Sequence, residues 1–374
     1  MLKEFPVNWV WIDCLCIIQD STSDWLREAN LMSQTYQNAV LNVSADSGED
    51  SRAGCFVERD PLDITPLELH NIGLSQDHIV LPNAMYLFDW MSEATSFSRA
   101  WIHRERQLAR RVLHFTPTEM VWECCGTEGA AFASEMLPGG APFNAFLFGA
   151  DNKYQIGRLQ EGLAEGAEET YATWNDICEN LSTKHLTKPS DMPIVLAGLA
   201  KDFARLLPQD TYVAGVWQST LPHSLLWTTL RYKTAELEYI APSWSWLSVD
   251  CAVKLANRSK IKEKHSLLKI LDISTELKYE DTYGPLSSGR LQVEGVLRHI
   301  KLVANQETQL WNLCVLDCKP NKGIRKLGFS QSEKEMRKLG SSWDAHHGEM
   351  YKVELDAQID GVVLDCSCLF VTIE

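Results

Sequence analysis

One glutamate, Glu105, stands in an arginine-rich stretch of an acidic chain. The stretch SFSRAWIHRERQLARRVLHF, residues 96–115, carries five arginines, whereas the whole chain has a formal net charge of −15. Those arginines are Arg99, Arg104, Arg106, Arg110 and Arg111. Arginine binds a phosphate or a carboxylate through two parallel N–H donors. A carboxylate held beside arginines and an indole suits work on a cationic or nucleotide substrate.

Helical spacing puts Glu105 beside Trp101, because residues four positions apart lie one turn apart on the same face. Leu108 continues this stripe, so Glu105 is predicted to point towards the packed side of the helix. The alternative is an ordinary amphipathic helix in which Glu105 pairs with a neighbouring arginine and the remaining charges face water. A lone histidine is usually a satisfied surface or core residue, so His103 and His114 add no further signal.

A second carboxylate, Asp13, ends an apolar run near the amino terminus. Residues 7–12, VNWVWI, are rich in β-branched and aromatic side chains, which predicts a buried strand. Ligands of open parallel sheets bind beyond the carboxyl ends of the strands, and Asp13 follows this strand directly. The alternative is that Asp13 accepts backbone N–H groups in the following turn. Both interpretations stay open from position alone.

The elements around the two carboxylates form a predicted α/β domain. Ser21, Thr22 and Ser23 are candidate N-caps, and apolar residues in steps of four, three and four predict a helix over 25–36. The segment 39–45 is a second strand, so strand, helix and strand predict a βαβ unit and a parallel sheet. A helix from residue 98 to about 110 and strands at 111–115 and 119–125 follow.

The sequence pattern of the rest of the chain changes twice. A weakly patterned stretch is predicted as an exposed, variable linker, two helical patterns follow it, and alternating segments then predict a β-rich carboxyl-terminal region. The predicted ranges are 1–130 for the α/β domain, 131–169 for the linker, 170–250 for the helical segment ending in PSWSW, and 251–374 for the β-rich region.

Composition excludes several classes of function. A net charge of −15 disfavours general nucleic-acid binding, and no apolar run reaches the length of a membrane span. The start MLKEFPVNW lacks a secretory apolar region, so a cytoplasmic protein with reduced thiols is predicted. Cys314, Cys318, Cys366 and Cys368 provide enough thiolates for zinc, but the spacing of the last two is typical of one strand face, and we predict no metal site.

Three separated blocks resemble the fungal heterokaryon incompatibility (HET) family. The first, VWIDCLCIIQDSTSDWLREANLMSQTYQNAVLNVSA, is similar to the family pattern W-I-D-x-L-C-I-x-Q-D followed by D-W and M-x-x-x-Y-x-x-A. The second, SRAWIHRERQLARRVLHFTPTEMVWEC, resembles R-x-W-x-x-Q-E-R-x-L-x-x-R-x-L-x-F ending in W-E-C. The third, APSWSWLSVD, resembles a P-S-W-S-W segment that follows the domain in many members.

The resemblance implies a role in non-self recognition, in which fusion of incompatible fungal cells leads to growth arrest and programmed cell death. HET domains resemble Toll/interleukin-receptor (TIR) domains, several of which cleave NAD through a glutamate. The spacing from Trp101 to Glu105 is similar to the W-C-x-x-E of those domains. The resemblance thus implies a TIR-like fold, NAD as a substrate with no resident cofactor, and Glu105 as the catalytic residue. Asp13, Arg99, Trp101, Arg104 and Arg106 are the predicted nucleotide-binding residues.

Two departures from the family pattern qualify these expectations. The family domain normally begins with a strand and an L-S-Y-x-W-G motif that this sequence does not contain, which predicts a shortened gene model or an inactive truncated copy. Arg104 also stands where the family usually has glutamine. A non-enzymatic module, which signals by self-association or through a protein partner, is therefore the alternative to NAD cleavage.

Overall fold

The computed structural model describes two compact units of the chain. The first comprises Met1–Gly166 and Lys184–Leu206, and the second comprises Ala167–Thr183 and Leu207–Glu374. The described residues are 7–48, 94–125, 151–163, 166–230, 239–256 and 268–295, with shorter pieces at 52, 54–60, 62, 65, 67–69, 78–80, 132–134, 297–305, 310–315, 325–328 and 364–369. These units divide the chain differently from the four predicted ranges, which remain predictions.

Six helices are described in the first unit. They are α1 (Asp13–Cys16), α2 (Thr22–Asn38), α3 (Thr95–Ser98), α4 (Ala100–Leu108), α5 (Asp151–Gln160) and α7 (Met192–Leu206). Helix α6 (Ala167–Ser182) belongs to the second unit. Of the three candidate caps of α2, Ser21 is the one that the structure shows, because its hydroxyl accepts a hydrogen bond from the Asp24 amide. Gly198 lets α7 pack tightly, since a Cβ atom there would lie 2.2 Å from the Ser33 hydroxyl oxygen.

A four-stranded sheet accompanies these helices, and it is mixed. Its order is β1 (Asn42–Ala45), β4 (Arg111–Phe115), β5 (Met120–Cys124) and β6 (Phe132–Ser134). Strands β2 (Leu67–Leu69) and β3 (His78–Val80) form a separate antiparallel pair. Strands β1 and β4 pair in parallel, but β4 with β5 and β5 with β6 pair antiparallel. The α/β class is confirmed, whereas the prediction of a wholly parallel sheet is wrong. The short link from β4 to β5 permits antiparallel pairing alone, because a parallel pair needs a long crossover.

The predicted strand at residues 7–12 is absent from the structure. This segment has no regular structure, and the Trp9 side chain is 93% exposed. A strand needs a neighbour to take up its backbone donors and acceptors, and none of the described strands pairs with this segment. Asp13 is therefore the first residue of α1 rather than the residue that ends a strand.

A helix occupies part of the stretch that we predicted as an exposed linker. Helix α5 lies within 131–169, and Ile156, Leu159 and Lys153 on it are buried. The prediction of exposure is wrong for this helix. Two apolar residues among many polar ones give a weak helical pattern, which is why the sequence did not reveal it.

The second unit starts with a helix and continues as short β-pairs. After α6 (Ala167–Ser182), the pairs are β7 (Tyr212–Val213) with β8 (Val216–Trp217), β9 (Thr228–Thr229) with β10 (Val253–Lys254), and β11 (Leu268–Leu277) with β12 (Leu286–Gly295). A four-stranded sheet follows, in the order β15 (Arg325–Gly328), β14 (Leu310–Val315), β13 (Leu297–Asn305) and β16 (Leu364–Leu369). The predicted β-rich carboxyl-terminal region is thereby confirmed.

Tryptophans build the core of the second unit around one backbone oxygen. The Gly215 carbonyl accepts hydrogen bonds from the indole nitrogens of Trp174, at 3.2 Å, and Trp246, at 3.1 Å. Ala214 and Gly215 form the β7–β8 turn with φ of 48° and 87°. The Ser245 hydroxyl donates to the Ala214 carbonyl at 2.6 Å. The PSWSW segment thus holds this turn in place.

Candidate functional site

Helix α4 presents Glu105 between two arginines that point in different directions. Its neighbours Arg104 and Arg106 are both buried, while Glu105 is partly exposed. Successive helical residues are rotated by about 100°, so two residues that flank a third face different surroundings. Arg104 faces α2 and α7, whereas Arg106 faces β5. Glu105 is the charged group of this trio that retains access to solvent.

The Glu105 carboxyl lies in an unusual electrostatic setting. Burial raises its pKa to about 7, although a hydrogen bond from Tyr36 and the charge of Arg104 lower it. The charge of Asp13 opposes ionisation and raises the pKa further, and Arg99 lowers it slightly. Near neutral pH both the carboxylate and the carboxylic acid are therefore well populated.

Two edge-to-face aromatic pairs involve Tyr36, which acts on the pKa of Glu105, and Trp101, which lies one turn before Glu105 on α4. Tyr36 meets Trp11 with ring centroids 5.7 Å apart, and Trp101 meets Trp25 at 5.9 Å. The guanidinium of Arg104 lies over the Trp101 ring, 4.6 Å from its centroid. We call Asp13, Tyr36, Trp101, Arg104 and Glu105 the Glu105 cluster. Apolar ring faces beside carboxylates are suited to a flat cationic ring.

Arg104 is held rigidly within this cluster. Its Nη1 donates to the Ile194 carbonyl at 3.3 Å, and its Nη2 lies 3.2 Å from the Met32 sulfur. Burial lowers the pKa of Arg104 to about 10, while Glu105 and Tyr36 raise it. The side chain thus keeps its positive charge at neutral pH and places that charge close to the Glu105 carboxyl.

The structure brings together most of the site residues that the sequence predicts. Asp13, Trp101, Arg104 and Glu105 belong to the Glu105 cluster, and the exposed Arg99 acts on the Glu105 carboxyl through its charge. Asp13 also accepts a hydrogen bond from the Cys14 amide at 2.7 Å, so the turn role and the site role coexist.

Arg106 lies outside the cluster, because Glu123 binds its guanidinium in a bidentate ion pair. The two N–O distances are 2.8 Å and 2.7 Å, and Glu123 is 1% exposed. Phe97 covers the other side, with the Arg106 guanidinium 4.9 Å from its ring centroid. A guanidinium engaged in this way has no free fork for a phosphate.

The Arg106–Glu123 pair is part of a buried network that sequence reasoning missed. His114 Nδ1 lies 2.8 Å from Asp46 Oδ2, and His114 Nε2 lies 3.2 Å from Glu123 Oε2. The Lys153 ammonium donates to the Arg106 carbonyl and is also buried. We call Asp46, Arg106, His114, Glu123 and Lys153 the buried network.

Charge pairing overrides burial at Glu123 and His114, whereas burial lowers the pKa of Lys153 in the same network. Burial would raise the pKa of Glu123, but the charges of Arg106 and Lys153 hold it well below its usual range. Burial would likewise lower the pKa of His114, yet its hydrogen bonds to Asp46 and Glu123 hold it above its usual value. The network is therefore a set of ionised groups that satisfy one another.

A sequence signal for this network existed in the strand pattern. His114 follows Val112 by two positions in β4, and Glu123 follows Val121 by two in β5, and all four side chains are buried. Polar residues at the inward positions of neighbouring strands indicate a buried pair.

Neither a metal centre nor a membrane span is found in the parts of the chain that the structure describes. No group of three or more His, Cys, Asp or Glu side chains there is arranged to hold a metal ion. Cys366 and Cys368 lie in strand β16, as predicted, whereas Cys318 lies outside the described residues. Among the helices of those same parts, none combines the length and apolar character needed to cross a bilayer.

Comparisons with known proteins bear on the amino-terminal part of the chain. The family model described as heterokaryon incompatibility protein (HET) matches residues 1–105, a range that ends at Glu105. Neither the curated proteins nor the solved structures contain a match to the chain. The matched range includes the whole W-I-D block and the start of the second block. Residues 1–105 of the chain are therefore similar to the heterokaryon incompatibility (HET) family.

Proposed function

We propose that the chain is an effector of fungal non-self recognition that acts in the cytoplasm and cleaves NAD through Glu105. The observation that carries this proposal is the Glu105 cluster: a partly exposed carboxyl with a pKa of about 7, beside aromatic rings and a second carboxylate. Loss of cellular NAD would connect the HET domain to growth arrest and programmed cell death.

The chemistry requires one carboxylate placed beside the ribose. As the bond from C1′ to the nicotinamide nitrogen breaks, the electron pair leaves with the nicotinamide, which becomes neutral. The ribose gains oxocarbenium character, and the Glu105 carboxylate stabilises that charge while it holds a ribose hydroxyl. Water then adds to C1′ and loses a proton, giving ADP-ribose. The bond exchange is balanced without a cofactor.

The remaining cluster residues have supporting roles in this proposal. Trp101 provides a ring face for the nicotinamide, and Asp13 adds negative charge near the cationic ring. Arg104 contributes a fixed positive charge, and the exposed Arg99 is suited to reach the pyrophosphate. We assign no ligand contact to Arg106, because Glu123 occupies its guanidinium.

The test is nicotinamide release by the purified chain, followed by chromatography. We expect Glu105→Gln to lower the release rate by roughly 100-fold or more, because the amide cannot stabilise positive charge. Glu28→Gln is the matched control, since Glu28 is, like Glu105, a partly exposed carboxyl, and it lies on α2 paired with the exposed Arg27. Equal rates in the parent and in Glu105→Gln would contradict the proposal.

A second candidate function is a non-enzymatic module that self-associates or binds a protein partner during incompatibility signalling. The observation that favours it is an exposed apolar segment, in which Trp9, Leu15 and Ile18 are 93%, 77% and 58% exposed. Substitution of Trp9 by serine should then abolish signalling in cells, whereas Glu105→Gln should leave it intact. The opposite pattern supports the enzyme.

A further inference from the structure

Two buried polar side chains on α4, His103 and Gln107, belong neither to the Glu105 cluster nor to the buried network. They lie one helical turn apart, and they are 5% and 2% exposed. Within the residues that the structure describes, the Nε2 atom of His103 and the oxygen and nitrogen of the Gln107 carboxamide are enclosed without a hydrogen-bond partner. Because buried polar atoms are nearly always hydrogen-bonded, this face of α4 is suited to a ligand that supplies those bonds.

Both side chains are directed towards the first turn of α4. Side chains on a helix lean towards its amino terminus, which places the Gln107 carboxamide over the turn of His103 and the His103 ring over the turn of Ala100. Ala100 is completely buried, and its methyl group takes up little space at this end of the helix. Glu105 lies about 200° around the helix from His103, so these residues and the Glu105 cluster occupy different faces of α4.

A lysine lies beside that first turn. The His185 carbonyl accepts a hydrogen bond from the Ala100 amide at 3.1 Å, and the His185 amide donates to the Ser98 carbonyl at 2.6 Å. These two bonds hold the preceding residue, Lys184, next to the start of α4, where its side chain is half-buried. Burial and the charge of Arg106 both lower the pKa of Lys184, and no acidic group of the described residues counters them. The Lys184 ammonium is therefore suited to an anion from outside the chain.

The charges around His103 also favour an anion. Burial, Lys184 and Arg106 hold the pKa of His103 well below its usual range, so the ring is neutral at pH 7 and has one N–H to donate. Glu123 opposes this shift, but it already binds Arg106 in a bidentate ion pair. The first turn of α4 adds a partial positive charge, and the N-cap residue Arg99 provides no side-chain hydrogen bond there.

We propose that His103, Gln107 and Lys184 form a binding site for a small oxyanion that carries a hydroxyl group, of which inorganic phosphate is the simplest example. The anion accepts hydrogen bonds from the His103 ring, the Gln107 carboxamide nitrogen and the Lys184 ammonium. Its hydroxyl group donates to the Gln107 carboxamide oxygen, which a carboxylate or a sulfate cannot satisfy. The bound anion links the segment of Lys184 to the helix that carries Glu105, and the inference does not depend on NAD cleavage.

The experiment is a titration of the purified chain with inorganic phosphate at pH 7 and constant ionic strength, followed by NMR with ¹⁵N-labelled histidine. The ring resonances of His103 are assigned by their loss in His103→Gln. We expect these resonances to shift with phosphate until the site is saturated. Sulfate has a similar size and no hydroxyl at this pH, so it should bind roughly 10-fold more weakly, because it leaves the Gln107 oxygen unpaired.

Two lysine variants separate a specific site from general attraction of anions. Lys184→Ala should weaken phosphate binding roughly 10-fold or more, because it removes a charged donor. Lys188→Ala is the matched control, since it removes the same charge from an exposed residue of the same segment. Its affinity for phosphate should stay within about twofold of the parent, because exposed charges are screened by salt.

Gln107→Leu tests the buried part of the site. It replaces the carboxamide with an apolar group of similar size, so the preference for phosphate over sulfate should disappear. The two lysine variants leave the buried residues untouched, and they decide the case if Gln107→Leu fails to fold. Three results would overturn the inference: no saturable shift of the His103 resonances, equal affinities for phosphate and sulfate in the parent, or equal losses in the two lysine variants. Ordered water alone beside His103 and Gln107 would give the first of these results.

Discussion

Two glutamates of the first unit, Glu105 and Glu123, have pKa values that are shifted in opposite directions. Glu123 receives two hydrogen bonds from Arg106 and lies near Lys153, and its pKa is held well below the usual range. Glu105 meets a phenol, one offset arginine and the opposing charge of Asp13, and its pKa is raised to about 7. Burial disfavours both carboxylates, so the difference comes from the number and geometry of the cations.

The comparison separates a carboxylate with a structural role, Glu123, from one that is available for chemistry, Glu105. Glu123 is saturated by partners and has no remaining capacity for a ligand, so its contribution is to join α4 to the sheet. Glu105 is only partly satisfied, and both of its protonation states are accessible at neutral pH. Arg104 and Arg106 reinforce this division, because Glu123 engages the second guanidinium in two parallel bonds while a carbonyl and a sulfur engage the first.

The largest expected effect comes from breaking the buried network. Glu123→Gln leaves the guanidinium of Arg106 and the imidazole of His114 buried beside a neutral amide. Removing one partner of a buried ion pair costs about 3–5 kcal/mol, so the free energy of unfolding should fall by that amount at pH 7. Urea denaturation measures it. Asp20→Asn is the control, since this carboxyl is exposed, and a similar loss there would refute the argument.

A smaller effect should appear in how stability depends on pH. The folded pKa of Glu105 lies above its ordinary value of 4.5, so its contribution to stability is complete below that pH and is lost as pH rises through about 7. The free energy of unfolding of Glu105→Gln, relative to that of the parent, should therefore rise by about 1–3 kcal/mol between pH 4.5 and 8.

Glu123 should give the opposite slope in the same experiment. Its folded pKa is lowered, so its contribution is present above the ordinary value of 4.5 and is lost as pH falls towards the folded value. The difference in the free energy of unfolding between Glu123→Gln and the parent should therefore become smaller at acidic pH. Denaturation curves at several pH values measure both variants, and parallel slopes would show that the two carboxyls do not differ as described.

The smallest effect concerns the repulsion between the two carboxylates of the cluster. Asp13→Asn removes a negative charge that raises the pKa of Glu105, so the Glu105 midpoint should fall by about 0.3 pH unit. A carboxyl titration by NMR with ¹³C-labelled glutamate, in which the Glu105 resonance is assigned by its loss in Glu105→Gln, detects a change of this size. A rise in the midpoint would mean that Asp13 acts on Glu105 by a route other than charge.

Local patterns predicted the elements that depend on neighbours in the sequence. The cap at Ser21, the helix that carries Trp101 and Glu105, and the strand at 111–115 all follow from spacing within one segment. The resemblance to the HET family is confirmed over residues 1–105, and it is what connected Asp13 with Glu105 before any contact was known.

The sequence did not predict the features that depend on contacts between residues far apart in the chain. Residues 7–12 have the composition of a strand, yet a strand forms only where a neighbour pairs with it. Helical spacing did not show that Arg104 and Arg106 have different partners. Arg106 pairs with Glu123, which lies 17 residues further along the chain and outside the helix. The link from Asp46 to His114 spans 68 residues, and no local rule predicts it.

The shared carbonyl of Gly215 has a consequence for the order in which the second unit is assembled. Trp174 lies 41 residues before this oxygen, and Trp246 lies 31 residues after it. A two-stranded hairpin alone is marginal in water, so the turn gains its full support only when both indoles have closed their loops. During synthesis the turn is expected to gain its full support only after the PSWSW segment has left the ribosome. That segment therefore completes the packing around the Gly215 carbonyl.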